Sequence, residues 1–189
     1  MIWSKMKQQM ESFLCPALAK RVEYIASSYR YRADKAGHCY LTVDKKEIFS
    51  MSDSNAEIRW FKTEQEIKND PSVQIPVASE DIEAVRAGMK GNVPEERLAV
   101  IARDRKITDY AKEMMSAQAA LVKSDFNSTA STFLSLSLEE CLESRDILLN
   151  VFALVDRRLG KKRILAMAEK MKLKHPVVQY FYELRRSTL

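Results

Sequence analysis

The stretch HCYLTVDKKEIFSM, residues 38–51, decides the fold. Cys39, Leu41 and Val43 alternate with His38, Tyr40 and Thr42, the period of a strand with one buried face. Asp44-Lys45-Lys46 makes a tight polar turn, and Glu47 to Met51 returns as the partner strand. Upstream, Val22 to Tyr31 is rich in aromatic and β-compatible residues. The segment Ala33-Asp34-Lys35-Ala36-Gly37 joins it to His38, with the glycine free to take a positive φ. These three runs predict an antiparallel β-meander. A sheet of that size needs cover, and the nearest candidate lies at the N-terminus. There Trp3, Met6, Met10, Phe13 and Leu14 recur at helical spacing before Pro16 stops the helix.

Downstream the period changes to that of helices. Ser54 or Asn55 caps a helix to about Asn69, with faces defined by Ile58, Phe61, Glu64 and Ile67. Asp70-Pro71 ends it, and Val73 to Val77, flanked by prolines, reads as an edge strand or an extended linker. Ser79 is the expected cap of a helix opening with Glu80-Asp81-Ile82-Glu83, whose acids complement the helix dipole. Gly91 is expected to close that helix and Pro94 to start the next. Thr108 is expected to cap a further helix through Tyr110, Met114, Met115, Ala119 and Val122. Residues 124–137 read as helix, and Ser137-Leu138-Glu139-Glu140 as a capping box. The expected architecture is α+β: residues 1–77 hold a helix, the three-stranded meander and a second helix, and residues 78–189 form a helical bundle.

The charge sits at the C-terminal end. The chain carries +5, yet Asp156 to Leu189 holds ten basic against three acidic residues, leaving −2 for the first 155. Ser144 is the expected cap of a helix from Arg145 to Leu159, with Leu148, Val151, Phe152, Val155 and Leu159 on its buried face and Gly160 at its end. On that wheel Asp156 and Arg158 fall on the shoulders of the apolar arc. There they need partners, so they are expected to form structural ion pairs with neighbouring helices. A helix from Lys161 to Leu173 turns Ile164, Met167, Ala168 and Met171 inward and places Arg163, Lys170 and Lys174 on one flank. After His175-Pro176 a last helix buries Val177, Phe181 and Leu184 and leaves Arg186 in solvent. Arg163, Lys170, Lys174 and Arg186 are therefore the candidate stripe for an anion or nucleic acid.

Several chemistries find no residues to carry them. Four glycines build neither a dinucleotide fingerprint nor a phosphate-binding loop. The two histidines have no partner at metal-ligand spacing, and His38 and Cys39 point to opposite faces of a strand. Cys15, Cys39 and Cys141 are too scattered for a disulfide framework or zinc knuckle. No catalytic residue, cofactor or metal is expected. No apolar run approaches the ~20 residues of a membrane span. Charged residues interrupt Met1 to Ser12, so no signal peptide is expected and the cytoplasm is the expected location.

Two groups of residues carry a resemblance. One is Trp3-Ser4-Lys5 with Glu11-Ser12-Phe13-Leu14-Cys15-Pro16 and Arg21-Val22-Glu23-Tyr24. The other is Asp156-Arg157-Arg158-Leu159-Gly160-Lys161-Lys162-Arg163 with His175-Pro176 and Phe181-Tyr182-Glu183-Leu184-Arg185. Together they resemble a family of uncharacterised small bacterial cytosolic proteins. The resemblance implies a bacterial source and cytoplasmic location, and transfers no activity. The expected function is that of a non-enzymatic binding or adaptor protein with a protein partner. The alternative is a nucleic-acid-binding protein using the basic C-terminal helices.

Overall fold

A computed structural model describes residues 2–31, 36–89, 91–117 and 121–189, with the side chains of 116 and 117 outside that description. The chain divides into two compact units, residues 1–54 with 121–189, and residues 55–120. The second is an insertion in the first, and position 77/78 lies inside it.

The first unit begins with helix α1 (Trp3–Phe13), whose Met6 and Met10 are buried. Strands β1 (Val22–Ser28), β2 (Gly37–Val43) and β3 (Lys46–Ser52) form the expected meander in the order β1-β2-β3. Both pairings are antiparallel, with Tyr24 opposite Leu41 and Leu41 opposite Phe49. β1 stops three residues short of the expected Tyr31, and the turn at 33–35 falls outside the described residues. Gly37 is required sterically, because a Cβ there would stand 1.9 Å from the Ser27 carbonyl oxygen.

One face of the sheet is the core face. Val22, Tyr24, Cys39, Leu41, Val43, Phe49 and Met51 are all buried on it. Its cover is more than the expected N-terminal helix. Helices α5 (Lys123–Ser135) and α7 (Ile147–Val155) join α1 through a chain of rings. Tyr24 meets Phe152 edge-on at 5.7 Å, Phe152 meets Phe126 at 5.9 Å and Phe133 at 5.5 Å, and Trp3 meets Phe126 at 5.3 Å. The two edge-to-face pairs, Tyr24–Phe152 and Phe126–Phe152, each add about 0.5–1.5 kcal/mol to the apolar burial.

Helix α7 is the buried axis of this unit, with all nine of its residues buried. Its cap is Asp146, which accepts the N–H groups of Leu148 and Leu149, and not the expected Ser144. Nor does it run on to Leu159. It stops at Val155 because Asp156 takes an extended conformation and bridges Leu14, while Cys15 N–H donates to the Val155 carbonyl at 2.8 Å. A tertiary strand-like contact thus overrides a local pattern that would have continued the helix.

Short helix α6 (Leu138–Glu143) opens with the expected capping box: Ser137 Oγ accepts the Glu140 N–H and Glu140 accepts the Ser137 N–H. The expected helix 161–173 is two short ones, α8 (Lys161–Ala166) and α9 (Ala168–Met171), divided at Met167. Helix α10 (Pro176–Arg186) buries Val178, Phe181, Tyr182, Leu184 and Arg185, so its inward face is rotated by one residue from the expected Val177. Arg185 donates to Cys15 Sγ, Thr188 Oγ1 and the Leu159 carbonyl, tying the last helix to the end of α1.

The second unit holds most of α2 (Asp53–Asn69), with α3 (Ser79–Ala87) and α4 (Glu95–Ala117). Helix α2 starts at Asp53, one or two residues before the expected cap. Its inward face is Ala56, Glu64 and Ile67, and Ile58 and Phe61 are exposed. Val73 to Val77 forms no strand; Val73 and Ile75 pack on Ile67, Ile107 and Ala111, and Val77 packs on Val85, Leu98 and Ala102. The cap of α3 is supplied by Asp81, which accepts the Ala78 N–H at 2.8 Å, so Ser79 lies inside the helix. The helix ends at Ala87, ahead of Gly91. Helix α4 runs unbroken through Thr108, since no Gly or Pro interrupts it and the Thr108 hydroxyl donates to Glu64 at 2.6 Å.

Candidate functional site

The expected stripe can be followed cation by cation. Arg163, on α8, donates to Glu139 at 2.6 Å. Lys170, on α9, pairs with Glu143, whose carboxyl is held below the usual range mainly by that hydrogen bond. Lys174 donates to the Leu142 and Ser144 carbonyls at the C-terminal end of α6, where a cation complements the helix dipole. Burial, then the nearby Lys170, lowers its pKa. Arg186 pairs with Glu183 one turn back. Each stripe residue therefore already contacts a carboxylate or carbonyls of its own chain.

Asp156 and Arg158 pair with each other, not with neighbouring helices. Arg158 Nη2 lies 2.7 Å from Asp156 Oδ2, and the Arg158 backbone N–H donates to Oδ1. The guanidinium sits 4.2 Å above the Phe13 ring, a cation–π contact at the edge of the core. Asp156 is 1% exposed, and both its oxygens are occupied by this arginine.

The histidines go separate ways. His175 Nδ1 accepts the Val177 N–H as the cap of α10. His38 Nε2 lies 2.8 Å from Ser50 Oγ and 4.0 Å from Glu47, with its ring 4.9 Å from that of Tyr40. No group of three His, Cys, Asp or Glu residues placed to hold a metal occurs among the described residues. In the second unit, a depression of about 370 Å³ runs along α4 past Ile101, Asp104, Arg105, Thr108, Asp109 and Lys112. Asp104 there pairs with Lys68 and Asp109 with Lys112, and the Thr108 hydroxyl donates to Glu64.

The side of the meander away from the core is of another character. The register places Ile25, Ser27, His38, Tyr40, Ser50 and Ser52 on it. Beyond β1 the hairpin continues, with Tyr29 N–H bonded to the Ala36 carbonyl and Tyr29 Oη 2.9 Å from Ser52 Oγ. Tyr31 stacks on Tyr29 at 5.4 Å and 14°, and is 78% exposed. Rings and hydroxyls thus cover one face of the sheet. The signal was present as Tyr29-Arg30-Tyr31-Arg32, alternating aromatic and basic residues, but strand periodicity alone assigns these to β1 and stops there.

An α+β fold with a three-stranded meander, an inserted helical unit and one sheet face lined with rings and hydroxyls is what the chain presents. It belongs to the SF0329 protein family, whose model matches residues 2–186. No curated protein and no solved structure matches it. Among the described residues no helix is long and apolar enough to cross a membrane.

Proposed function

We propose that this is a non-enzymatic binding protein of the bacterial cytosol whose partner docks on the outer face of the meander. One observation carries the proposal: Tyr31 stands 78% exposed in a stacked pair with Tyr29, on the face that also displays His38 and Tyr40. Large amphipathic rings held in place lose little entropy on binding, and Tyr and Arg are enriched at interfaces. The basic C-terminal helices have weaker support as the docking face. Arg163, Lys170 and Arg186 would have to give up carboxylate partners first.

The test is site-specific photocrosslinking in cells. A photoreactive residue at Tyr31 or Ser50 is expected to yield adducts, and one at exposed Lys162 on α8 is not. Adducts from Lys162 alone would place the partner on the helices and reject the sheet face.

A further inference from the structure

Given the docking face proposed above, its charge and its rings select the partner. The register sets Glu23, Thr42 and Glu47 in one row across the three strands, on the outer face. Arg21 stands on the same face and is spent bidentately on Asp44. Glu23 is exposed, and no Lys or Arg among the described residues pairs with it. Glu47 is exposed and lies 4.0 Å from His38 Nε2. Arg30 alternates to the other side, and Lys46 lies opposite core-facing Val43. The chain carries +5 overall, yet this face is locally acidic.

Rings stand beside the carboxylates. Tyr40 occupies the next row, between Ile25 and Ser50, which makes Glu23 and Glu47 its diagonal neighbours. Long side chains span that separation. Tyr31 adds a ring with one face on Tyr29 and the other open to solvent. A cation held between a ring face and a carboxylate gains a cation–π contact and a charge-assisted hydrogen bond together. Arginine suits both, because its planar guanidinium stacks on rings and meets carboxylates with a fork of donors. A lysine ammonium is a strongly hydrated point charge and stacks less well. Thr42, buried between the two acids, has a hydroxyl without a partner among the described residues. A guanidinium has N–H donors enough for both carboxylates and this hydroxyl.

We propose that the outer face of the meander binds an arginine-bearing segment of a protein partner, with a guanidinium over Tyr40 between Glu23 and Glu47.

The experiment is fluorescence anisotropy on the full chain with a labelled Gly-Ser peptide bearing arginines, and with its lysine and glutamate counterparts. The arginine peptide is expected to bind, the lysine peptide more weakly and the glutamate peptide not at all. Added salt is expected to weaken binding, since exposed charges are screened. Glu23→Gln and Glu47→Gln are each expected to weaken it about two- to fivefold with the melting temperature unchanged. Glu96→Gln, at an exposed acid of α4, is expected to leave it unchanged. Tyr40→Leu is expected to bring the arginine peptide down to the level of the lysine peptide. No binding of the arginine peptide by the folded protein overturns the proposal. So does binding shared with the glutamate peptide, or indifferent to both Glu23→Gln and Glu47→Gln. Free arginine binding as tightly as the peptide would overturn the assignment to a protein segment. A dimer in sedimentation that Glu47→Gln dissociates would give the face to a second copy and overturn it too. If the peptide fails to bind while Tyr31 still crosslinks in cells, the docking face stands and the arginine assignment falls.

Discussion

The Asp53 carboxylate accepts the backbone N–H of Lys123 at 2.8 Å, closing a loop of 70 residues in sequence. Its other oxygen accepts the Gly37 N–H at 2.6 Å, so one side chain joins the start of β2, the start of α2 and the start of α5. The chain leaves the first unit just after Asp53 and re-enters just before Lys123. Asp53→Ala removes the acceptor for both N–H groups. Losing a hydrogen bond to a charged group costs roughly 1.5–3 kcal/mol. Urea denaturation is expected to show a loss of that size, with Asp53→Asn, which keeps one acceptor oxygen, in between.

The β2–β3 turn carries local strain. Asp44 and Lys45 both have positive φ, 51° and 66°, in a two-residue loop closed by the Val43–Lys46 pair. Asp44 tolerates this and is held by Arg21, while Lys45 has neither advantage. Glycine is the preferred residue at that position of such a turn. Lys45→Gly is expected to stabilise by up to about 1 kcal/mol, raising Tm by about 2–4 °C. Lys45→Val is expected to lower Tm, because a β-branched residue is a strong outlier there.

Adjacent arginines in α10 are expected to behave oppositely. Arg185 is 6% exposed, bonded to Cys15, Thr188 and Leu159, and its Nε has no partner. Arg186 is exposed and paired with Glu183. Arg185→Ala strands buried acceptors and leaves a cavity, at a cost of about 2–4 kcal/mol. Arg186→Ala stays within about 0.5 kcal/mol of the parent. Paired thermal melts of the two variants check the contrast.

How much of this was legible in sequence varies with the range of the forces. The meander was readable because Cys39, Leu41 and Val43 report their own burial through a period of two. The end of α7 was not, because what stops it is Leu14, distant in sequence, bridging Asp156. The placement of Asp156 and Arg158 depended on that boundary and changed with it. Thr108 offered a plausible cap, yet its hydroxyl had a better partner in Glu64. The carboxylates opposite Arg163 and Lys170, Glu139 and Glu143, come from α6, and nothing in the local pattern of the basic helices announces them. The aromatic sheet face needed the register, which sets His38 and Tyr40 on one side with Ser52, and the Tyr29 hydroxyl at Ser52 brings the stacked tyrosines to it.

Two core thiols give a pH dependence. Burial pushes Cys39 up to about 12 and Cys141 up to about 11, from 9.0. The folded state therefore keeps protons that the unfolded chain releases above pH 9, and stability falls as pH rises from 9 towards 11–12. Below pH 9 these groups contribute no slope. Native protein is expected to leave both thiols unmodified by a thiol reagent at neutral pH, with reaction on denaturation. Rapid labelling of Cys39 or Cys141 in the native state would contradict their burial.

The central claim is that the outer face of the meander is the docking face. Amide chemical-shift mapping tests it most directly, on the uniformly labelled 21.8 kDa chain titrated with the partner recovered by photocrosslinking. The predicted result is a set of shifted amides at Ile25 to Tyr31, His38 to Thr42 and Ile48 to Ser52, with the helices from Lys161 to Arg186 unmoved. Shifts confined to Lys161 to Arg186, with the sheet silent, would contradict it.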